Sequence, residues 1–280
     1  MKIAHLILAH NNPAQLARLV NRLNHPDADI YIHLDLKAAI EPFLAIVKLP
    51  QVHFIKKRQK VYWGSYSIVQ ATLNSFQEIL ANKKGYQYIN LLSGNDYPIK
   101  SVAQIHQFFD DRPDYIFMEY LTEDSEWWQS NKTRVTQYHL TDFNFPGYYL
   151  LQTFLNKILP NRKAPNALTY AGRSQWLTLS TDSAQYVIDY LHKHTGVARF
   201  FRLTWAPDEI AIQTILYNSP FKDQIINCNY RYTDWSENKA SPKTLTMDDA
   251  PKLLNSDCLY ARKFDMDSQP EIMDYLDNKL

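Results

Sequence analysis

Positions 2–9 (KIAHLILA) are apolar almost without a break, the pattern of a strand buried on both faces. Asn12 and Pro13 follow as helix N-cap and first helical residue, with Gln15 spaced for a capping box. Leu16, Leu19, Val20 and Leu23 then recur at helical spacing. Residues 30–34 (IYIHL) predict a second strand and residues 52–55 a short third. The loop 56–64 leads into a helix from about Ser67, where Ser67 and Gln70 have capping-box spacing and Val69, Leu73, Phe76 and Leu80 form one face. A strand over 87–92, a helix capped by Ser101 and Gln104, and a strand over 115–118 complete this half. Such alternation predicts an α/β fold with a mostly parallel central sheet and helices on both faces.

The second half is less regular. Residues 123–147 are polar and aromatic and read as a long loop. Helices are expected over 149–158, 182–192 and from Pro207 through Leu216, with strands over 173–179 and 224–230 and a loop at 238–242. With no internal repeat, low-complexity tract or linker, the chain reads as one domain spanning 1–280. Residues 1–120 and 121–280 form two functional halves, the second on the acceptor side.

Composition narrows the function classes. The 280 residues carry a net charge of +1, so no broad basic surface points to nucleic acid. Two cysteines, Cys228 and Cys258, are too few for a disulfide framework or a four-thiolate zinc site, and fit a reducing compartment. The opening apolar run is too short for a membrane span or a signal sequence. The expectation is a cytoplasmic protein without a transmembrane segment, with peripheral association at the inner membrane face left open. Aromatic residues make up 14% of the chain, which suits either an aromatic core or a cleft for flat ligands such as bases and sugar rings.

In open α/β sheets ligands bind beyond the carboxyl ends of the strands. Four segments fall there: Ala9-His10-Asn11, His33-Leu34-Asp35, Ser93-Gly94-Asn95-Asp96 and Met118-Glu119. Trp63, in the run before a capped helix, fits either a stacking platform for a base or sugar or an aromatic staple closing the loop. Asp96 suits sugar hydroxyls or an Asx turn before Pro98. Asp208 and Glu209 fall in the predicted first turn of a helix, where its dipole favours their ionised form. That position suits helix stability as well as a general base. Arg262 and Lys263 read as a solvated pair or as cations neutralising a diphosphate. His33 and Asp35, with His10, are the nearest approach to a metal set. Without Asp-x-Asp at a strand end, HExxH or CxxC, no catalytic metal is expected, and His33 reads as a core or a hydrogen-bonding residue in preference to a ligand.

Taken in order, seven segments resemble the core-2/I-branching β-1,6-N-acetylglucosaminyltransferases and the related peptide O-xylosyltransferases. They are AHNNPAQLARLV, IYIHLD, VYWGSYSIVQATLNSF, YINLLSGNDYPIKS, APDEIAIQTIL, NYRYTDW and LYARKFD. The resemblance implies a GT-A-type fold and an inverting, metal-independent transfer from a UDP-sugar to a glycan or glycolipid acceptor, with GlcNAc or xylose as the sugar. By matching position, Glu209 is the catalytic base, and Arg262 with Lys263 holds the diphosphate in place of a metal. Ala9, His10 and Asp35 match the uridine-binding strand ends, Trp63 the aromatic lining of the donor site, and Asp96 the acidic tip near the donor sugar. Trp235 and Glu119 match acceptor contacts, and a further basic donor-site position falls near Lys243. Residues 1–120 thereby become the nucleotide-sugar half. The short chain with few cysteines looks like a bacterial member acting in surface polysaccharide synthesis. Two other classes stand beside this reading. A catalytically inactive nucleotide- or glycan-binding module needs no base together with a cation pair. A glycoside hydrolase needs two carboxyls flanking one bond, which the neighbours Asp208 and Glu209 do not supply.

Overall fold

Successive strand residues point to opposite faces of a sheet. In β1 (Ile3–Ala9) both sets are apolar: Ala4 and Leu6 join one buried cluster, while Ile3, Ile7 and Ala9 join another. A computed structural model describes residues 1–143 and 145–280 of the chain. After β1 come α1 (Pro13–Arg22), β2 (Ala28–Leu34), α2 (Glu41–Ile46), β3 (Val52–Phe54), α3 (Tyr66–Ala81), β4 (Tyr88–Ser93), β5 (Tyr97–Pro98), α4 (Val102–Asp110) and β6 (Ile116–Thr122). There follow α5 (Glu126–Asn131), α6 (Thr133–Thr136), α7 (Tyr148–Ile158), β7 (Ala171–Ser180), α8 (Thr181–Lys193), α9 (Thr195–Arg202) and α10 (Ala211–Tyr217). The last elements are β8 (Ile225–Ile226), β9 (Arg231–Thr233), α11 (Ala250–Leu254), β10 (Tyr260–Arg262) and α12 (Pro270–Lys279).

Seven strands form the central sheet in the order β3-β2-β1-β4-β7-β6-β8. All neighbours are parallel except those of β7, which runs antiparallel to both β4 and β6. Helices α3, α8 and α10 pack on one face, and α1, α4 and α12 on the other. This is the α/β architecture with a mostly parallel sheet expected of a GT-A-type fold. The reversed strand was not foreseen. A long excursion through α5 to α7 precedes β7, and the chain re-enters the sheet from the carboxyl end of β4. A second sheet, β5-β10-β9, stands beyond that end. Among the described residues no helix is long and apolar enough to cross a membrane.

Several local expectations change. Asn12 caps α1 through the Gln15 N–H at 2.9 Å, but the Gln15 side chain does not close a capping box. It is buried and ties distant segments together, donating to the Gly94 and Phe264 carbonyls at 2.9 and 3.1 Å and accepting from Met266 N at 2.7 Å. Helix α3 is capped by Ser65, two residues before the predicted Ser67, and Gln70 bonds Asn74 instead. Ser101 and Gln104 do form a capping box. Residues 123–147 contain α5 and α6, too short to leave a periodic signal. The predicted helix from Pro207 is a single tight turn, Pro207–Glu209, broken at Ile210 before α10. Asp208 and Glu209 therefore sit outside the regular helix. The predicted strand 224–230 pairs with β6 only at Ile225 and Ile226. The chain then turns at Cys228 and Tyr230 (φ 53°) and joins the small sheet as β9.

Candidate active site

The carboxyl ends of β1, β2 and β4 lie level. Asp35 N donates to Ala9 O at 2.8 Å, and Gly94 N to Leu8 O at 3.0 Å. Ala9 is buried there, whereas His10 is exposed. Arg58, which the sequence did not single out, fixes the end of β2 by donating to the carbonyls of Leu34, Asp35 and Ala38 at 2.8, 2.8 and 2.6 Å. The buried Asp35 carboxylate accepts from Lys37 N at 2.9 Å. His33 has the hydrogen-bonding role expected of it: Nε2 accepts from Gln59 N at 2.9 Å, and burial pushes its pKa down to about 4.

Asp96 follows β4 and is 1% exposed. Its carboxylate accepts from Ser93 N and Ser93 Oγ at 2.9 and 2.8 Å, so it closes the turn after β4 and makes no Asx turn toward Pro98, which has no N–H to donate. It also faces Arg262 Nε at 3.0 Å, at too oblique an angle for a good hydrogen bond. The pairing follows from the small sheet, where β10 lies antiparallel to β5 and Phe264 N donates to Asn95 O. The Arg262 guanidinium stacks over Trp176 of β7 at 4.3 Å. Burial lowers its pKa, and the charges of Asp96 and Glu209 act in the opposite direction. Nη1 and Nη2 have no partner among the described residues and reach solvent. Behind this pair lies Arg231, buried and held by Asn90 Oδ1 and the Leu91 and Asn229 carbonyls at 2.5, 2.7 and 2.6 Å. Burial pushes its pKa down to about 10. Trp176 lies in none of the seven quoted segments, and Arg231, although inside NYRYTDW, carried no assigned role.

Glu209 reaches the same edge from the opposite side. Because β7 is antiparallel, its first residues lie at the carboxyl edge of the sheet, and Gly172 there admits the 207–209 turn. A Cβ at Gly172 would stand 2.4 Å from Glu209 O and 2.9 Å from Ile210 Cα. Ala206, at φ 45°, enters the turn through the left-handed region and donates its N–H to Gly64 O at 2.8 Å. Gly64 is equally constrained, since a Cβ would meet the Trp205 ring at 2.8 Å. Trp63 packs edge-on against Trp205, 5.1 Å between centroids, and is 71% exposed. Trp63 therefore packs its loop against Trp205 while most of its surface stays exposed.

Arg134 of α6 was missed because it lies in the stretch read as loop. It is buried, donates to the Trp205 and Ala206 carbonyls at 3.3 and 3.2 Å, and holds Glu209 Oε2 at 2.7 Å. The Glu209 side chain is 35% exposed, and Oε1 has no partner among the described residues. Next to it, Asp208 keeps Oδ1 buried and without a hydrogen-bond partner among the described residues. Burial, and after it the charge of Glu209, pushes the Asp208 carboxyl up to about 7. A proton is therefore bound by the folded chain between about pH 4 and 7 that the unfolded chain releases, so on account of this group stability falls as pH rises through that window. Asp208→Asn is expected to flatten that slope and to raise the melting temperature by several degrees at pH 8. Parallel pH–stability curves for the two proteins would count against a buried Asp208.

The remaining candidates lie around this centre. Glu119 on β6 accepts from Arg173 Nε at 2.9 Å and from Asn229 Nδ2 at 3.2 Å. Lys243 clamps both oxygens of buried Asp249 at 2.9 Å, so its ammonium is already paired. Its backbone N–H donates to Asp234 O and its carbonyl accepts from Lys263 N, which brings Trp235, Lys243 and Lys263 onto neighbouring strands of chain. Trp235 is half exposed, and Lys263 makes no ion pair among the described residues. A surface dent between α3 and α8, lined by Gln77, Ile188 and His192, contains none of these residues.

Comparison with known proteins agrees with the sequence resemblance. The chain is 22% identical to a xylosyltransferase of Ciona intestinalis over its whole length, covering 34% of that protein. It is 23% identical to xylosyltransferase 2 of Rattus norvegicus, covering 99% of this chain and 33% of the relative. With the β-glucuronosyltransferase GlcAT14A of Arabidopsis thaliana it shares 24% identity over 95% of this chain and 61% of the relative. It spans about a third of the length of the xylosyltransferases it matches. The solved apo structure of mouse xyloside xylosyltransferase 1 covers 93% of this chain and 97% of its own at 10% identity, but its TM-score of 0.42 is too low to build on. The sequence model for the Core-2/I-Branching enzyme matches residues 3–256, nine-tenths of the chain, and on that ground the chain belongs to the Core-2/I-Branching enzyme family.

Proposed function

We propose that this chain is an inverting glycosyltransferase that moves GlcNAc or xylose from a UDP-sugar to a hydroxyl of a glycan or glycolipid, without a metal, in the synthesis of a surface polysaccharide. One observation carries the reading. At the carboxyl edge of the sheet, Glu209 presents an unengaged carboxylate oxygen, and Arg262 presents two unengaged guanidinium nitrogens close enough to feel its charge. Transfer with inversion needs both. The acceptor oxygen bonds to the anomeric carbon, the bond from that carbon to the β-phosphate oxygen breaks, and the acceptor's proton passes to Glu209 Oε1. Negative charge grows on the leaving diphosphate, where Arg262 and Lys263 stabilise it.

Within this reading Ala9, His10 and Asp35 border the uridine, Trp63 offers its open face to the donor, and Asp96 holds Arg262 in place. Residues 1–120 supply most donor contacts, while Glu119 and Trp235 face the acceptor. Lys243, already clamped by Asp249, orders the Lys263 segment instead of meeting phosphate itself. A panel of UDP-sugars, run by thermal shift with and without EDTA, tests the donor assignment. One UDP-sugar is expected to raise the melting temperature by a few degrees, as saturation at about 100 times Kd adds about 2.7 kcal/mol. EDTA should leave that shift intact. An EDTA-sensitive shift contradicts the metal-free reading, and no shift with any nucleotide sugar removes the donor site.

A further inference from the structure

Helix α7 is oriented the wrong way round for a helix that packs on a core. None of its residues is buried. Gln152 and Asn156, one turn apart, face the protein: Gln152 Oε1 accepts from Leu140 N at 2.8 Å, and Asn156 accepts from Tyr138 N and donates to Tyr138 O at 2.7 and 2.9 Å. The opposite face carries Leu150, Phe154 and Ile158 at intervals of four, exposed by 78, 57 and 59%. Apolar surface extends past both ends of the helix. Of fifteen large apolar side chains exposed among the described residues, eight fall between 143 and 159. A patch of that kind marks an interaction surface, because it costs solvation free energy while it stays open.

Charge identifies what covers it. Residues 143–163 contain Lys157, Arg162 and Lys163 and no aspartate or glutamate. Arg162 is buried and holds the segment to the body, donating to Gln137 O at 2.9 Å and stacking on Phe200 at 4.0 Å. Lys157 and Lys163 are exposed, and Lys157 emerges in the apolar stripe itself. A second copy of the chain docked through this face would bring two lysine-bearing stripes together with no acid between them. An anionic bilayer matches both features, apolar chains for the stripe and phosphate headgroups for the lysines.

We infer that α7 and its flanks form a membrane-surface anchor, lying in the interface of an anionic bilayer with Leu150, Phe154 and Ile158 inserted. The inference does not rest on the sugar-transfer reading. Flotation with mixed phosphatidylcholine–phosphatidylglycerol vesicles tests it, with pure phosphatidylcholine vesicles as control. Wild type should float with the mixed vesicles and much less with the neutral ones, and added salt should weaken the binding. The double variant Leu150→Glu/Phe154→Glu should lose at least about tenfold in partitioning. Its melting temperature should be unchanged, because the inward Gln152–Asn156 face is untouched. Lys157→Glu/Lys163→Glu should abolish the preference for anionic lipid. Equal binding to both vesicle types, no binding by wild type, or a concentration-dependent dimer that the Leu150→Glu/Phe154→Glu variant dissolves would each overturn the anchor.

Discussion

A Glu209→Gln variant is expected to bind UDP as wild type does and to transfer sugar about 10²–10⁴-fold more slowly, the usual contribution of a positioned general base. The substitution is close to isosteric, and the glutamine carbonyl can still accept from Arg134, which holds Oε2 at 2.7 Å. What is removed is the charge and the capacity of Oε1 to take a proton. Turnover with saturating acceptor, beside UDP affinity by calorimetry, separates the two effects. Loss of both together would mean that Glu209 holds the 207–209 turn and does not act on substrate. The Arg134 contact bears on the chemistry as well. A carboxylate held by a guanidinium is a fixed one, and the near-attack geometry that such placement secures is itself a large part of a transfer rate.

Removing Arg262 should do two separable things. Arg262→Ala withdraws the counter-charge from Asp96, which is 1% exposed, and breaking a buried pair in this way costs about 3–5 kcal/mol of stability. On the proposed reading it also takes charged donors from the diphosphate, each worth about 1.5–3 kcal/mol, so UDP-sugar affinity should fall about tenfold to a hundredfold. Adding Asp96→Asn distinguishes the two. The double variant should recover most of the lost melting temperature, because no unpaired charge remains buried, while donor affinity stays low. If affinity recovers along with stability, Arg262 serves the fold and not the phosphate.

How far the sequence revealed this arrangement depended on range. Short-range signals read well: the double-faced apolar run of β1, the Ser101–Gln104 capping box and the amphipathic face of α3 all stand in the structure. Signals shared with another physical cause misled. Gln15 has capping-box spacing, yet buried carbonyls of Gly94 and Phe264 compete for its amide and win it. Asp208 and Glu209 resemble helix-start acids, yet Ile210 breaks the helix and lets the turn pass over Gly172. What was not legible was long-range. Arg134 meets Glu209 across 75 residues of sequence, and Trp176 meets Arg262 only because β7 runs backwards between β4 and β6. No local period encodes either contact.

The same dependence on range governs the order in which the molecule can be built. Helix α12 is clasped to α1 by Arg18, which pairs with Asp274 and Asp277 at 2.7 Å, and Tyr97 donates to Asp277 from β5. Gln15 is bound to Phe264 and Met266 on the way. A chain still emerging from the ribosome can assemble β1 to β4 early, but Asp96 then faces its interior without a cation, since Arg262 has yet to be made. The edge of the sheet that carries Glu209 and Asp96 is closed only when β10 docks on β5, so an intermediate in which β10 has not yet docked leaves Asp96 without the Arg262 charge, and the candidate site assembles late and as a whole.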